Sequence, residues 1–359
     1  MSADASLTVE RAEATRRGWT WKILTGYGWR AVVLALVGVL LWRAVVPQFG
    51  EAWRASRHLT FAAIPFVVLG LLLELGAFSA YAGMTYSALP HAERPRYRMM
   101  WGVNITGIAI TNTMPAGGAV TLGYRFRMLD RMGTPRAVAA GSLMMEMPVS
   151  SLALSALFVI AVAVFLPASL EGGEVVAVAF AVVVVFVAAA TAMFLAAVRC
   201  RGVMHMLLRV LPSAFGRRAA RFVGGSLAAM AALASDRGRL GATAVNAMTN
   251  WACDSAAFCA FLAMAGPLPT IRGPLLAYAL TSVISLVPIT PGGLGVVEAV
   301  LVPTLVGFGV SPSHAALGVT TWRLAQFWLP IALGGSVGVV ALTRAGVRRT
   351  SRVGAATLR

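Results

Sequence analysis

Charged residues are scarce in this 359-residue chain, and their scarcity argues against an ordinary soluble protein. Charged side chains make up 12% of the sequence and hydrophobic ones 58%, with a mean hydropathy of +0.79. Soluble domains have about a quarter of their residues charged. The composition therefore predicts an integral membrane protein, and about six to eight crossings of roughly 20 residues each fit the length.

Cysteine and histidine are also scarce, which argues against metal, disulfide and nucleophilic chemistry. Cys200, Cys253 and Cys259 form no CxxC pair and have no metal-ligand spacing. The four histidines are scattered along the chain, away from any acidic cluster. No P-loop for ATP is present. We therefore expect no catalytic residue, no metal and no cofactor, and hence a protein that is not an enzyme.

Acidic residues are outnumbered by basic ones, 13 against 30, and the net charge is +17. The arginines fall in blocks between apolar segments, which is typical of cytoplasmic loops rather than of a nucleic-acid-binding surface. We expect anionic lipid headgroups, not nucleic acid, to face these loops. The predicted domains are a basic cytoplasmic arm (1–30), one transmembrane domain (31–343) and a basic cytoplasmic tail (344–359). Within the transmembrane domain, two halves at about 61–167 and 240–343 flank a basic linker at 199–239.

Proline and glycine interrupt the apolar pattern at two places, which we call the first break and the second break. The first break contains Pro115, Gly117 and Gly118, and the second contains Pro288, Pro291, Gly292, Gly293 and Gly295. Proline removes a backbone donor and glycine weakens a helix, so neither segment favours a continuous helix. The apolar arms beside each break are too short to cross a membrane alone. Each break therefore predicts the tip of a re-entrant hairpin.

The positions of the basic loops put the first hairpin on the cytoplasmic side and the second on the external side. Opposite entry sides predict an inverted-topology repeat, an arrangement that many secondary transporters use. The predicted fold is therefore an all-α polytopic membrane protein with about six full spans and two re-entrant helical hairpins. Both termini are expected in the cytoplasm and the protein in the plasma membrane.

Ionisable residues follow both breaks, in swapped order of sign. Arg125 and then Glu146 follow the first break, whereas Glu298 and then Arg323 follow the second. A charge at membrane depth usually faces a cavity or an opposite charge. We therefore predict that Glu298 and Arg323 lie close together, with Asp254 in the same network. The candidate substrate-binding residues are Glu298, Arg323, Asp254, Asn250, Arg125 and Glu146.

Two other interpretations of these charges remain open. Such pairs can simply hold helices in register. Alternatively, Glu74, Arg125 and Asp254 can lie at the membrane interface, since long side chains reach the headgroups readily.

The second half of the chain also carries a motif. Residues Val287–Glu298, followed by Trp322–Pro330 and preceded by Trp251–Asp254, resemble the lysylphosphatidylglycerol synthase transmembrane (flippase-like) family. That family includes the membrane half of the multiple peptide resistance factor. We expect this chain to have no soluble synthetase domain. The resemblance implies movement of a phospholipid or polyprenyl-phosphate-linked lipid between leaflets, with a lipid-synthesising enzyme as a candidate partner.

Three alternatives stand beside this prediction: a small-solute secondary transporter, a membrane transferase, and a scaffold subunit of envelope lipid synthesis. The predicted inverted repeat supports a solute transporter equally well. The oligomeric state and the cargo are not specified by the sequence.

Overall fold

The computed structural model describes residues 59–114, 116–165, 217–268, 272–284 and 290–337, with a few single positions outside these ranges. Throughout the described ranges the secondary structure is helical, without a strand, which confirms the all-α prediction. The predicted crossing at 31–47, most of the one at 175–198, and both Pro115 and Pro288 lie outside the described residues.

Nine α-helices form the described part of the chain, and short 3-10 helices cover Phe61–Ala63, His91–Glu93 and Pro291–Gly293. The α-helices are α1 (Ile64–Ala88), α2 (Tyr97–Thr113), α3 (Gly117–Arg131), α4 (Arg136–Phe165), α5 (Arg217–Ser235), α6 (Arg237–Ala265), α7 (Arg272–Ile284), α8 (Val296–Gly307) and α9 (Pro312–Arg323). After α9 the chain winds into a π-helical segment, Leu324–Trp328, and is helical again over 329–337.

Two of the described helices are long and apolar enough to cross a membrane, Phe61–Ala88 and Arg136–Ile160. The arms beside the breaks are short, as predicted. Helices α2 and α3 have 17 and 15 residues, and α7 and α8 have 13 and 12. Helix α2 packs against α3, and α7 packs against α8, so each break joins two neighbouring helices.

Helices α1 and α6 form the central pair of the fold. Glycines on α1 let the two helices approach closely, because a Cβ at Gly70 would meet the ring of Phe261 at 2.7–2.9 Å. A Cβ on Gly83 would likewise clash with the Asn246 side chain, whereas one on Gly76 would lie at an ordinary contact distance of 3.6 Å from the Cys253 Sγ. Close approach at small residues is typical of helix pairs in membranes.

An aromatic cluster joins α6, α7 and α9. The ring centroids of Phe258 and Trp322 are 5.2 Å apart, and that of Tyr278 lies 5.8 Å from Phe258 and 6.0 Å from Trp322. All three residues are buried. Truncating such an aromatic to alanine costs about 3–5 kcal/mol in a packed core. The cluster fixes the α6 segment that carries Asp254 against the end of α9.

Two arginines cap the C-terminal end of α1. Arg94 donates to the carbonyls of Ser87 and Leu89, at 3.2 and 3.1 Å, and Arg239 donates to the carbonyl of Ala88. The last carbonyls of a helix lack intrahelical partners, and a cation there also complements the helix dipole. These contacts tie the start of α6 to the end of α1.

Helix α5 lies within the predicted basic linker at 199–239. Its apolar side packs against α4, where a Cβ on Gly141 would meet the Ser226 carbonyl at 2.4 Å. Met230 and Leu233 are buried in the same core cluster as Met145. The described part of α5 is therefore attached to the helical core.

The structure corrects one boundary of the first break. Gly117 and Gly118 were predicted to form the turn, but they begin α3, and the residue before them, Ala116, adopts a left-handed conformation with φ 53°. Gly117 is needed at this position because a Cβ would lie 2.6 Å from the Thr111 Cα. The glycine therefore lets α3 start against the last turn of α2.

Candidate functional site

The two breaks are in contact. The end of α2 packs against the Pro291–Gly293 turn, and the Asn112 amide Nδ2 donates to the Phe327 carbonyl at 3.0 Å. A Cβ on Gly292 would lie 2.9 Å from Asn112 Oδ1. The end of α2, directly before the first break, therefore lies against the turn of the second break. Phe327 belongs to the π-helical segment, a type of helix irregularity that occurs frequently at functional sites.

The second break is a run of turns that only glycine adopts easily. Gly292, Gly293 and Gly295 have φ values of 56°, 68° and 82°. Pro291 begins the 3-10 turn, and Thr290 closes it by donating its hydroxyl to the Leu294 carbonyl at 2.9 Å. Since L-residues with side chains rarely adopt these angles, the sequence there is dictated by the backbone.

Glu298 and Arg323 form an ion pair beside this break, as predicted. Arg323 Nε lies 2.7 Å from Glu298 Oε1, and their side chains are 6% and 8% exposed. Glu298 Oε2 accepts from the backbone N–H of Gly295 at 2.6 Å, so the carboxylate also caps the start of α8. Arg323 donates further to the Gly292 carbonyl at 3.1 Å and to Gln326 Oε1 at 2.9 Å. Arg323, the last residue of α9, thus connects that helix to the second break.

Arg125 and Glu146 form a second buried pair, between α3 and α4. Arg125 Nη2 lies 2.6 Å from Glu146 Oε2, and both side chains are about 95% buried. Arg125 also donates to Thr85 and, at 3.1 Å, to the Tyr81 hydroxyl. Arg125 Nε and Glu146 Oε1 are buried without a hydrogen-bond partner among the described residues. This pair therefore keeps one unused donor and one unused acceptor.

Asp254 lies in the aromatic cluster and is half-buried. Its Oδ2 accepts from the Tyr278 hydroxyl at 2.8 Å, and its Oδ1 accepts from Trp322 Nε1 at 3.0 Å. The predicted network with Arg323 takes a different form, because Trp322, the neighbour of Arg323 in sequence, makes the hydrogen bond. Asp254 is thus linked to Arg323 through the adjacent residue of α9. Asn250 is half-buried one helical turn before Asp254.

Glu74 is the buried charge to which sequence reasoning gave no role. It is 0% exposed, in the middle of α1, and it lies against Asp254 and Trp322. Arg125 is likewise buried inside the protein, at 5% exposure. The signal was present in the sequence, because a single carboxyl group inside a long apolar helix is costly unless it has a function or a partner.

The site therefore consists of two buried Arg–Glu pairs, one associated with each break, and of the buried Glu74 with the half-buried Asp254. Forming an ion pair in a dry interior removes both charges from water, and the lost hydration offsets much of their attraction. If one partner leaves, another ion of the same sign must take its place, because an unpaired buried charge is costly. Guanidinium groups are well suited to bind phosphate through two parallel charge-assisted hydrogen bonds.

The sequence is similar to known membrane proteins. A family model described as "Lysylphosphatidylglycerol synthase TM region" matches residues 29–334. A stretch of 57 residues is 37% identical to a "UPF0104 membrane protein" of Methanothermobacter thermautotrophicus. That alignment covers 16% of this chain and 17% of the relative. The family match confirms the resemblance predicted from the motif of the second half and establishes a membrane protein.

Proposed function

Because the chain belongs to the lysylphosphatidylglycerol synthase TM region family, we propose that it is a flippase- or scramblase-like transporter. Its cargo in this proposal is a phospholipid or a polyprenyl-phosphate-linked lipid that moves between leaflets, and no covalent chemistry is involved. The observation that carries the proposal is the contact between two helix breaks, each associated with a buried Arg–Glu pair. A polar headgroup can cross the apolar interior of a bilayer where polar groups of the protein line its path.

The proposed topology has α2–α3 and α7–α8 as re-entrant hairpins that enter from opposite faces. Both hairpins end at a Pro/Gly break, and the swapped order of charges relates them as inverted repeats. Six full spans and cytoplasmic termini complete this arrangement. The breaks would then meet inside the bilayer, where irregular backbone is tolerated only if protein or a polar cavity satisfies it. Asn112 and Arg323 satisfy carbonyls at this junction in the described structure.

The headgroup moves by exchange of partners at the two arginines. A lipid phosphate displaces Glu298 from Arg323, or Glu146 from Arg125, and accepts charge-assisted hydrogen bonds in its place. Arg125 Nε is an unused donor that a phosphate oxygen would satisfy. The released carboxylate then faces a cationic or hydroxylated part of the headgroup.

Apolar side chains around the breaks provide the path for the acyl chains. Met114 beside the first break is 46% exposed, and Leu294 in the second break is 37% exposed. Leu324 and Trp328 on the π-helical segment are 53% and 48% exposed. Exposed apolar groups next to a buried polar path let the tails stay in the bilayer while the headgroup is inside the protein.

Reconstitution into liposomes tests the proposal. Vesicles that contain a trace of fluorescent phosphatidylglycerol are treated with an external quencher, and the fraction of fluorescence lost reports exchange between leaflets. We expect the protein to increase this fraction above that of empty vesicles, and Arg323→Ala and Arg125→Ala to reduce it. Arg136→Ala is the matched control, because its ion pair with Asp130 is exposed. Wild-type protein that behaves like empty vesicles would refute the proposal.

A further inference from the structure

Glu74 and Asp254 bring two carboxyl groups together inside the protein, on the central pair of helices α1 and α6. Glu74 is fully buried, and two residues further along α1 a Cβ on Gly76 would lie 3.6 Å from the Sγ of Cys253, the neighbour of Asp254. Neither oxygen of Glu74 has a hydrogen-bond donor among the described residues. Two ionised carboxylates in such contact repel each other strongly, and burial adds to the cost.

The surrounding groups assign the charge to Asp254. Its two oxygens accept from the Tyr278 hydroxyl and the Trp322 indole N–H, and Arg323 adds a positive charge nearby. Hydrogen bonds donated to a carboxylate favour its ionised form. The described geometry gives Glu74 no such donor, because the Trp322 N–H is directed to Asp254. Glu298 already has its own partners, Arg323 and the Gly295 N–H.

We propose that Glu74 and Asp254 form a proton-binding site that controls the ion pair of Arg323 with Glu298. In the described state Glu74 carries the proton and Asp254 carries the negative charge. A proton satisfies the pair better than a metal cation does, since Asp254 already uses both oxygens and no group of three metal-binding side chains is found among the described residues. This inference rests on the proposed lipid transport for its consequence, though not for the proton itself.

Loss of the proton changes the balance of charge around Arg323. The proton leaves Glu74 for water and the pair gains a second negative charge. That charge competes with Glu298 for the guanidinium group, which also holds the Gly292 carbonyl. Arg323 then releases the second break, and the lipid phosphate gains access to it. Deprotonation of the pair therefore opens the site, and protonation closes it.

Infrared spectroscopy of the purified protein detects the proton directly. A protonated carboxyl group has a C=O stretching band that an ionised one lacks. We expect wild type to show such a band, Glu74→Gln to lose it, and the surface variant Asp130→Asn to keep it. A band that survives in both Glu74→Gln and Asp254→Asn would overturn the assignment. This measurement is independent of lipid transport.

Measuring lipid exchange as a function of pH tests whether the proton controls the ion pair of Arg323 with Glu298. The charged form of a titrating site changes roughly tenfold per pH unit below its midpoint, so we expect wild-type exchange to rise several-fold with pH. Glu74→Gln, which cannot lose a proton, should remain slow at every pH, while Asp130→Asn should follow wild type. If wild type is active but exchanges lipid at the same rate at every pH, the proposed control of Arg323 by the proton is overturned. Dependence on sodium at constant pH would assign the site to sodium instead. Wild type without exchange refutes the proposed function, and the infrared band still decides the proton site.

Discussion

The Asn112 side chain donates a hydrogen bond to the Phe327 carbonyl at 3.0 Å, although the two residues are 215 positions apart in the chain. This contact ties the end of α2 to the π-helical segment after α9. It is therefore a direct link between the two halves of the fold, at the place where both breaks meet.

Removing the Asn112 amide should loosen this junction. In Asn112→Ala the hydrogen bond to the Phe327 carbonyl is lost, and one such bond contributes about 0.5–1.5 kcal/mol. We expect a lower melting temperature in detergent and altered lipid exchange. Thr113→Val is the control, because Thr113 is exposed and bonds only within its own helix. Equal melting temperatures for the two variants would contradict a role of Asn112 in joining the breaks.

Glycine at position 292 should be irreplaceable. Its φ of 56° strains any L side chain, and a Cβ would lie 2.5 Å from the Phe327 ring. Gly292→Ala should therefore destabilise the fold and abolish exchange. Gly118→Ala places a Cβ in open space on α3, where alanine is favoured over glycine by up to about 1 kcal/mol in a helix interior. Equal melting temperatures for Gly292→Ala and Gly118→Ala would contradict backbone strain from a side chain at position 292.

Glu298 and Arg323 should be strongly coupled in their effect on the free energy of unfolding. Removing one partner of a buried pair leaves the other charge unpaired and typically costs about 3–5 kcal/mol. We expect Glu298→Gln and Arg323→Gln each to be strongly destabilising, and the double variant to be less so than the sum of the two. The cycle on the exposed Asp130–Arg136 pair should show no measurable coupling. Additive effects at Glu298 and Arg323 would contradict the pairing as an energetic unit.

Much of the fold follows from the sequence because it depends on local chemistry. Proline and glycine interrupt the helices near the predicted positions, and the lengths of the helices follow from the apolar runs. The Glu298–Arg323 pair was predictable since an isolated charge in an apolar protein needs a counter-charge. These predictions use only neighbours along the chain and the general cost of burial.

Contacts between helices were not predictable in the same way. Asp254 bonds to Tyr278 and Trp322, which are 24 and 68 positions away, and nothing in their spacing specifies this. The close approach of α1 to α6 decides that Glu74 faces Asp254 rather than lipid. Gly117 was assigned to a turn because its packing against Thr111 is a tertiary contact. Helix rotation and crossing, not propensity, determine these relationships.

The arginine cap on α1 should matter for stability and not for transport. Arg94→Ala removes the donors to the Ser87 and Leu89 carbonyls, and a lost charge-assisted hydrogen bond costs about 1.5–3 kcal/mol. We expect a lower melting temperature with normal lipid exchange at temperatures where the variant is folded. Arg98→Ala, at an exposed position on α2, should change neither. Loss of exchange in folded Arg94→Ala would indicate a functional role for the cap.

Tyr278 gives the most selective test of the Asp254 environment, because a single hydroxyl is removed without changing the ring. Tyr278→Phe deletes the 2.8 Å hydrogen bond to Asp254 Oδ2 and keeps the contacts with Phe258 and Trp322. Because the Asp254 carboxylate then has one donor fewer, its ionised form is less well stabilised. Asp254 therefore competes better with Glu74 for the proton. We expect exchange to require a higher pH than in wild type. Tyr97→Phe also deletes one hydroxyl hydrogen bond, to the Ser79 carbonyl, but at an exposed position, so its pH profile should equal that of wild type. If the pH profile of Tyr278→Phe superimposes on those of wild type and Tyr97→Phe, the Tyr278 hydroxyl has no influence on the proton of Glu74 and Asp254.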